Sequence, residues 1–432
     1  MIISTVLILL LVSIPKFVFP SQYTPWNVFY ERQTFDTYKY GTVPDWDEKS
    51  YLGRDMTFIP GYFVAKASFL QLLGLEFNLV SDLIFELLLN FSLILSLIYL
   101  TRNLFMSFSA RLIFILAFVS GTFIFVLLSA HLMHTLSLAL LFFSLGYLIN
   151  KENHAVAGLI LGASVIVHAF SLVLFPIILY ILKDNNKPKD FIYPMLIASV
   201  LFAIIFAPTF VKLGVPYQIF PDSWGYLLVW DWHSFFTELL FLAPFTIAAF
   251  IYSWYRDRRL AYLFILFVIL FLGLSFRFNI ILIFLSSLMI ARMVTSLRSN
   301  ILSVFTIAVI LVNIIPAMYV MAGFWHPCDD VYLTNECLTA MNQVSKLSSS
   351  DSIIAGPIYG HILTYLGNKI VLADPYVEYG NSEKFQDIME FENTNSMSIA
   401  KKWDLNLALV TEYICDGDLI YDNGYLRVCQ IL

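Results

Sequence analysis

Long apolar runs dominate the chain as far as about residue 320 and then stop. Runs of roughly 20 apolar residues closed off by basic residues are the pattern of helices that cross about 30 Å of hydrocarbon. The pattern predicts about eleven transmembrane helices, near 2–19, 81–101, 111–130, 132–150, 155–168, 170–183, 191–210, 236–254, 260–275, 279–296 and 301–320. Two of these, 155–168 and 170–183, are short. They are either a broken pair meeting near His168 or one long tilted helix, which changes the parity of the topology. A polar and aromatic stretch, Ser21–Val80, separates the first two runs. Within it Pro60 and Gly61 favour a turn, and an amphipathic stretch to Gly74 gives about 13 helical residues. That is too short to span, so it is expected in the outer interface.

Beyond residue 322 the period changes. β-like runs (Ser352–Ala355, Lys369–Ala373, Leu405–Thr411, Tyr425–Ile431) alternate with polar helix-like stretches (Leu333–Leu347, Glu383–Phe391, Ser396–Trp403), which predicts a small α/β domain. The expected fold is therefore a polytopic α-helical membrane domain over 1–321, carrying a first exterior loop over 20–80, and an α/β domain over 322–432.

Composition agrees with this pattern. Of 432 residues 59% are hydrophobic and only 13% charged, against roughly 25% charged in an ordinary soluble domain. That much apolar surface excludes a disordered chain, a nucleic-acid binder and a single soluble globule. Charge placement then orients the chain. Arg102, Arg111, Lys151, Lys183, Lys187, Lys189, Arg256, Arg258, Arg259, Arg292 and Arg298 fall in or beside alternate short loops, and the opposite loops hold only Lys212 and Arg277. Eleven against two predicts a cytoplasmic N-terminus in a multi-pass plasma-membrane protein, with the 20–80 segment and the tail outside. Lys16 is a further exception. The first run lacks a basic start and a small-residue cleavage site, so it reads as a span and not as a signal peptide.

The cysteines give an independent check. Cys328, Cys337, Cys415 and Cys429 all lie in the tail, as expected of disulfides in an oxidising space. Local pairing, Cys328 with Cys337 and Cys415 with Cys429, is one of three connectivities, and small unpaired core residues are the other reading. No C-x-x-C occurs, which argues against zinc. The tail holds 15 acidic against 6 basic residues, about −9.

Candidate chemistry concentrates on the predicted outer side. Asp45-Trp-Asp-Glu48, with Asp36 before it and Asp55 after, is the densest acidic cluster. Such carboxylates serve as a general base or hold a divalent cation, Mg or Mn, with Asp47 and Glu48 as ligands; the bland alternative is a solvated loop. Arg277, in Ser275-Phe-Arg-Phe-Asn279, either snorkels to headgroups or grips a phosphate. His131 and His134 share a short outer turn and either contact a metal or phosphate or are ordinary interfacial histidines. Trp224, Tyr226, Trp230 and Trp232 fit an aromatic belt or stacking on a sugar.

The order of these features resembles the GT-C membrane glycosyltransferases, above all the catalytic subunit of oligosaccharyltransferase and its smaller archaeal relatives. Thr24-Pro-Trp-Asn-Val-Phe-Tyr-Glu-Arg32 resembles the family's D-P-W-F-N-Y-R stretch. Trp46-Asp-Glu-Lys-Ser-Tyr-Leu-Gly-Arg54 with Ile59-Pro-Gly-Tyr62 resembles W-x-D…Y-x-L-G-R…Y-P-G. In the tail, Gly356-Pro-Ile-Tyr-Gly-His361 through Gly367–Pro375 resembles W-W-D-Y-G-x…A-N-R…A-D-N, and Trp403–Val410 resembles the strand that follows. The departures are specific. Thr24 stands where the family has its first catalytic aspartate, no carboxylate stands near His131–His134, and Pro357-Ile358 replaces the W-D that reads the acceptor sequon.

The resemblance implies transfer of a sugar from a polyprenyl-(di)phosphate carrier in the lipid to a protein or glycan acceptor on the outer face. Asp45, Asp47 and Glu48 would be catalytic. Arg277, His131 and His134 would hold the phosphate, and Tyr359 and His361 would face the acceptor. Two other readings stay open: a catalytically degenerate relative that binds or scaffolds lipid-linked glycans, and a transporter or flippase, for which Glu86 is the clearest mid-span acid and Asp82 lies nearer a helix end.

Overall fold

The computed structural model describes residues 25–44, 46–49, 54–55, 61–105, 107–121, 124, 132–151, 153–182, 187–213, 242–273, 279–297, 300–321, 335–347, 351–372, 382–411, 418–422 and 426–431. By contact the chain divides into two compact units. A bundle unit comprises Met1–Val18, Leu79–Gly214 and Gln218–Ala322, and a loop–tail unit comprises Phe19–Asn78, Val215–Tyr217 and Gly323–Leu432. The expected division counted the first loop with the membrane domain. By contact that loop belongs with the tail.

The first loop opens with α1 (Pro25–Tyr40), whose proline sits in the first turn, where a missing N–H costs nothing. A two-residue ladder follows: β1 (Trp46–Asp47) runs antiparallel to β2 (Arg54–Asp55), Asp47 opposite Arg54. Then α2 (Gly61–Leu72) forms where the Pro60-Gly61 turn predicts it. Its buried face, Tyr62, Phe63, Lys66, Ala67 and Leu70, packs on α1. Protein therefore covers the apolar face that the sequence assigned to a lipid interface.

Ten apolar helices follow among the described residues: α3 (Leu79–Thr101), α4 (Phe108–Ser120), α5 (Leu132–Lys151), α6 (His154–Val167), α7 (Ser171–Leu182), α8 (Pro188–Leu213), α9 (Ala243–Arg256), α10 (Arg258–Gly273), α11 (Asn279–Ser296) and α12 (Asn300–Met321). By length and composition four described helices can cross a membrane, at Val80–Thr101, Leu132–Lys151, Pro188–Ala207 and Asn279–Ser296. That is fewer than the eleven expected; the one at 2–19 lies outside the described residues. The short pair is broken. α6 ends at His168, whose N–H donates to Ser164 O (2.9 Å), and the N–H of Ser171, at the start of α7, donates to His168 O (3.1 Å).

Packing explains the bundle's layers. α11 is innermost, with 83% of its residues buried, and its Phe284 meets Phe114 edge-on at 5.3 Å and stacks on Phe142 at 5.8 Å. α8 is 22% buried and exposes Ile192, Leu196, Val200 and Ile204 at every fourth position, an apolar stripe suited to lipid. Its other side meets α6 at Gly158 and Gly162, a G-x-x-x-G spacing that lets backbones approach. A Cβ on Gly158 would lie 2.9 Å from Ile197 Cβ and 3.0 Å from Pro194 Cα, and one on Gly162 would overlap Leu201 Cδ1.

The tail holds α13 (Asn335–Ser345), β3 (Ser352–Ile354), α14 (Pro357–Tyr365), β4 (Ile370–Val371), α15 (Ser382–Thr394), α16 (Met397–Lys402), β5 (Leu407–Thr411), β6 (Asp418–Asp422) and β7 (Leu426–Gln430). The sheet order is β4-β3-β5-β7-β6; β3 runs parallel to β4 and β5, and β7 antiparallel to β5 and β6. Strand alternation feeds two cores. Ile353, Val371, Leu407, Leu409 and Val428 meet α13 and α14, while Ile354, Leu372, Ala408, Val410 and Cys429 meet α15 and α16. Burial on both faces is why these strands read as near-continuous apolar runs. Lys402 Nζ and Trp403 Nε1 both donate to Asp387 at 2.7 Å, tying α16 to α15, and Asp387 with Glu383 raises the Lys402 pKa. Cys429 is buried and disulfide-bonded. Cys328, Cys415 and the Cys337 side chain lie outside the described residues.

Candidate functional site

In the loop–tail unit Asp47 and Glu48 sit on the β1 ladder and its turn. Asp47 ends β1 and Glu48 is exposed in the turn that follows. That turn is fixed to the tail at two points. Lys49 O accepts from the Val371 N–H (3.0 Å), and Lys49 Nζ donates to Asn368 Oδ1 (2.8 Å). Strand geometry explains the first contact. The N–H groups of Ile370 and Leu372 point to β3, donating to Asp351 O (3.4 Å) and Ile353 O (3.2 Å), so the N–H of Val371 points off the sheet edge, towards Lys49. α14 also packs against α1. Beside the clamp, Lys369 is fully buried and donates to Leu347 O (2.8 Å). Burial lowers its pKa, Asp351 offsets part of that, and the charge of Lys49 lowers it further.

α1 and α2 are joined by a buried ion pair. Lys66 Nζ lies 2.6 and 2.5 Å from the two carboxylate oxygens of Glu31, with Phe77's ring 5.4 Å from the ammonium. Tyr359 on α14 is half-buried and packs on the tail core. His361 belongs to the same helix, but its side chain lies outside the described residues, as do Asp45 and the side chain of Asp47.

In the bundle unit His134 sits in the first turn of α5, half-buried, its ring centroid 4.4 Å from that of His168 at the α6–α7 break. One turn along, Ser137, Ser164 and Ser171 bring α5, α6 and α7 together. Ser164 Oγ lies 2.7 Å from Ser137 O and 2.8 Å from Ser171 Oγ, and the hydroxyls of Ser137 and Ser171 are 2.5 Å apart. His131 and Arg277 lie outside the described residues. Among the described residues no group of three or more His, Cys, Asp or Glu could hold a metal ion.

No protein-family profile matches the sequence, and no curated protein matches it either. Solved structures do. The oligosaccharyltransferase of Archaeoglobus fulgidus in its apo form superimposes with a TM-score of 0.66 at 14% identity, over 95% of this chain and 69% of that one. Its complex with Zn and sulfate gives 0.63 at 14%, over 94% and 67%. Its complex with an inhibitory peptide and a dolichol-phosphate gives 0.54 at 14%, over 94% and 69%. The arabinofuranosyltransferase AftD from Mycobacteria gives 0.60 at 12%, over 99% of this chain and 39% of that one. The chain shares its fold with these glycosyltransferases.

The sequence-predicted residues divide between the units, the Asp45–Glu48 acids, Tyr359 and His361 in one, His131, His134 and Arg277 in the other. Sequence reading missed three features. The Lys49–Asn368 clamp and the Glu31–Lys66 pair join residues too far apart for any local pattern to link. The Gly158–Gly162 spacing was legible, and it marks the α6–α8 contact.

Proposed function

We propose that the chain is an integral membrane glycosyltransferase that moves a sugar or oligosaccharide from a polyprenyl-(di)phosphate carrier to an acceptor on the outer face. The observation that carries this reading is the fold match over 95% of the chain, which at that coverage takes in both units. The dolichol-phosphate bound by the archaeal enzyme supports a lipid-linked donor.

In this reading a carboxylate of the Asp45–Glu48 group takes the proton from the acceptor nucleophile. The nucleophile bonds to the anomeric carbon as the bond from that carbon to the phosphate oxygen breaks, and the electron pair leaves with the phosphate. Arg277, His131 and His134 face the charge that develops there. Tyr359 and His361 belong to the acceptor side. Asp47 and Glu48 are the residues that would hold a divalent cation, which would supply further neutralisation of the phosphate. Of these only the Glu48 carboxylate is among the described side chains, so no step is derived through a metal. Cys415 would pair with Cys429 and Cys328 with Cys337, as an oxidising exterior around the tail favours, and the basic residues of alternate loops favour an N-terminus inside.

Purified protein incubated with lipid-linked sugars and a divalent ion should give glycosylated acceptor by mass spectrometry. Asp47→Ala and Arg277→Ala should each abolish the product while leaving folded protein; unchanged transfer by both removes these role assignments. Thr24 favours a second reading, a relative that binds lipid-linked glycans without turnover. It predicts donor binding with no product under any condition.

A further inference from the structure

We infer that Lys49 and Asn368 are positioning residues, through which the tail's sheet edge holds the turn that carries Glu48, next to Asp47, for transfer; this rests on the transferase reading above. The hold has two independent parts. The main-chain bond from the Val371 N–H to Lys49 O makes Lys49 a one-residue extension of the sheet, and the side-chain bond from Lys49 Nζ to Asn368 Oδ1 fixes the same residue from its other end. Two anchors on one residue restrain both the position and the rotation of the turn, and Glu48 and Asp47 are its next neighbours. Transfer chemistry is sensitive to such restraint, since misplacing a reacting group by 1 Å costs about 100-fold in rate.

Asn368 itself carries a second observation. Its φ is +51°, in the left-handed region where glycine sits without strain and most other residues do not. Gly367 precedes it because a Cβ there would lie 2.8 Å from Leu363 O, so the chain already places glycine in this turn where the backbone demands it. At 368 it keeps an amide instead, and the amide oxygen is the one that receives the lysine. The tail is then a structural part of the loop that carries the acids.

Asn368→Gly relieves the backbone and removes the amide, and Asn368→Asp keeps an oxygen for Lys49 Nζ and tolerates the same φ. Both are made in the full chain and compared with wild type by two readouts: hydrogen exchange at the Val371 amide and steady-state transfer from a polyprenyl-phosphate-linked sugar. Asn368→Gly should raise exchange about tenfold and lower kcat about 100-fold, with the donor KM within about twofold. Asn368→Asp should restore both. Unchanged exchange in Asn368→Gly overturns the clamp, and raised exchange with unchanged kcat overturns its role in transfer. A wild type that transfers no sugar sinks the transferase reading, and exchange at Val371 then decides by itself whether Lys49 and Asn368 hold the turn.

Discussion

The two units join their helices by opposite means. In the loop–tail unit α1 and α2 share a full charge pair, Glu31 with Lys66, whose side chains are 5% and 0% exposed. In the bundle unit α5, α6 and α7 meet at three neutral serines, and α6 meets α8 at two glycines. Two charged contacts described in the bundle lie at helix ends: Arg292 Nη1 lies 2.6 Å from Asp257 Oδ2, joining α11 to the α9–α10 corner, and the ring of His154 lies 2.8 Å from Asp190 Oδ1, at the starts of α6 and α8. The difference follows from what each group can do when its partner fails. A serine hydroxyl can fall back on a carbonyl of its own helix, as Ser287 Oγ does with Ile283 O at 2.7 Å. A buried carboxylate or ammonium has no such refuge and keeps the whole desolvation cost.

That contrast breaks most visibly at the charge pair. Lys66→Ala or Glu31→Ala removes one side of the buried pair, so each should cost about 3–5 kcal/mol of loop–tail stability. The double change Glu31→Leu with Lys66→Met should be neutral or stabilising, by about 1–4 kcal/mol. Resistance to proteolysis along a urea titration of the full chain measures all three. A double variant as weak as the singles would show that the pair supplies stability beyond cancelling its own burial.

The serine seam should answer differently. Ser164→Ala removes the hydroxyl shared by all three helices, yet the expected loss is only about 0.6 kcal/mol, and about 1.7 at most, because Ser137 and Ser171 remain paired with each other. Thermal unfolding in detergent reads this directly. A loss as large as that of Lys66→Ala would remove the distinction between the two units.

Much of the fold was legible where burial imposes a period. The tail runs at 352–355, 369–373, 405–411 and 425–431 contain β3, β4, β5 and β7, since each is buried on both faces. β6 was missed: it is an edge strand, its residues Asp418–Asp422 are mostly exposed, and no core demands an apolar run there. α14 was missed because Pro357 and Gly360 read as turn formers, while Ile362 and Leu363 hold it helical by burial in the tail core. α1 was missed because its inward face carries Glu31, Arg32, Gln33 and Thr34, which leaves no apolar stripe to read. The acids of the candidate site were visible as a cluster. What positions them was not, because Lys49 and Asn368 are 319 residues apart.

Lys369 tests the comparison on its finest scale, since it is a second fully buried lysine of the loop–tail unit. Its ammonium donates to a neutral carbonyl, Leu347 O, so burial prevails and the pKa falls below 10.5. The sign follows. Between its lowered folded pKa and 10.5 the unfolded chain binds more protons than the folded one, so stability rises with pH across that window and is flat on either side. Lys369→Met should abolish the rise. Asp351 pushes the pKa up and Lys49 pushes it down, so Asp351→Asn should widen the window and Lys49→Met should narrow it. Urea midpoints of proteolysis, taken for the four chains at a series of pH values up to 10.5, give the comparison. A wild type whose midpoint tracks that of Lys369→Met throughout would mean that Lys369 keeps its charge in the folded unit in spite of its burial.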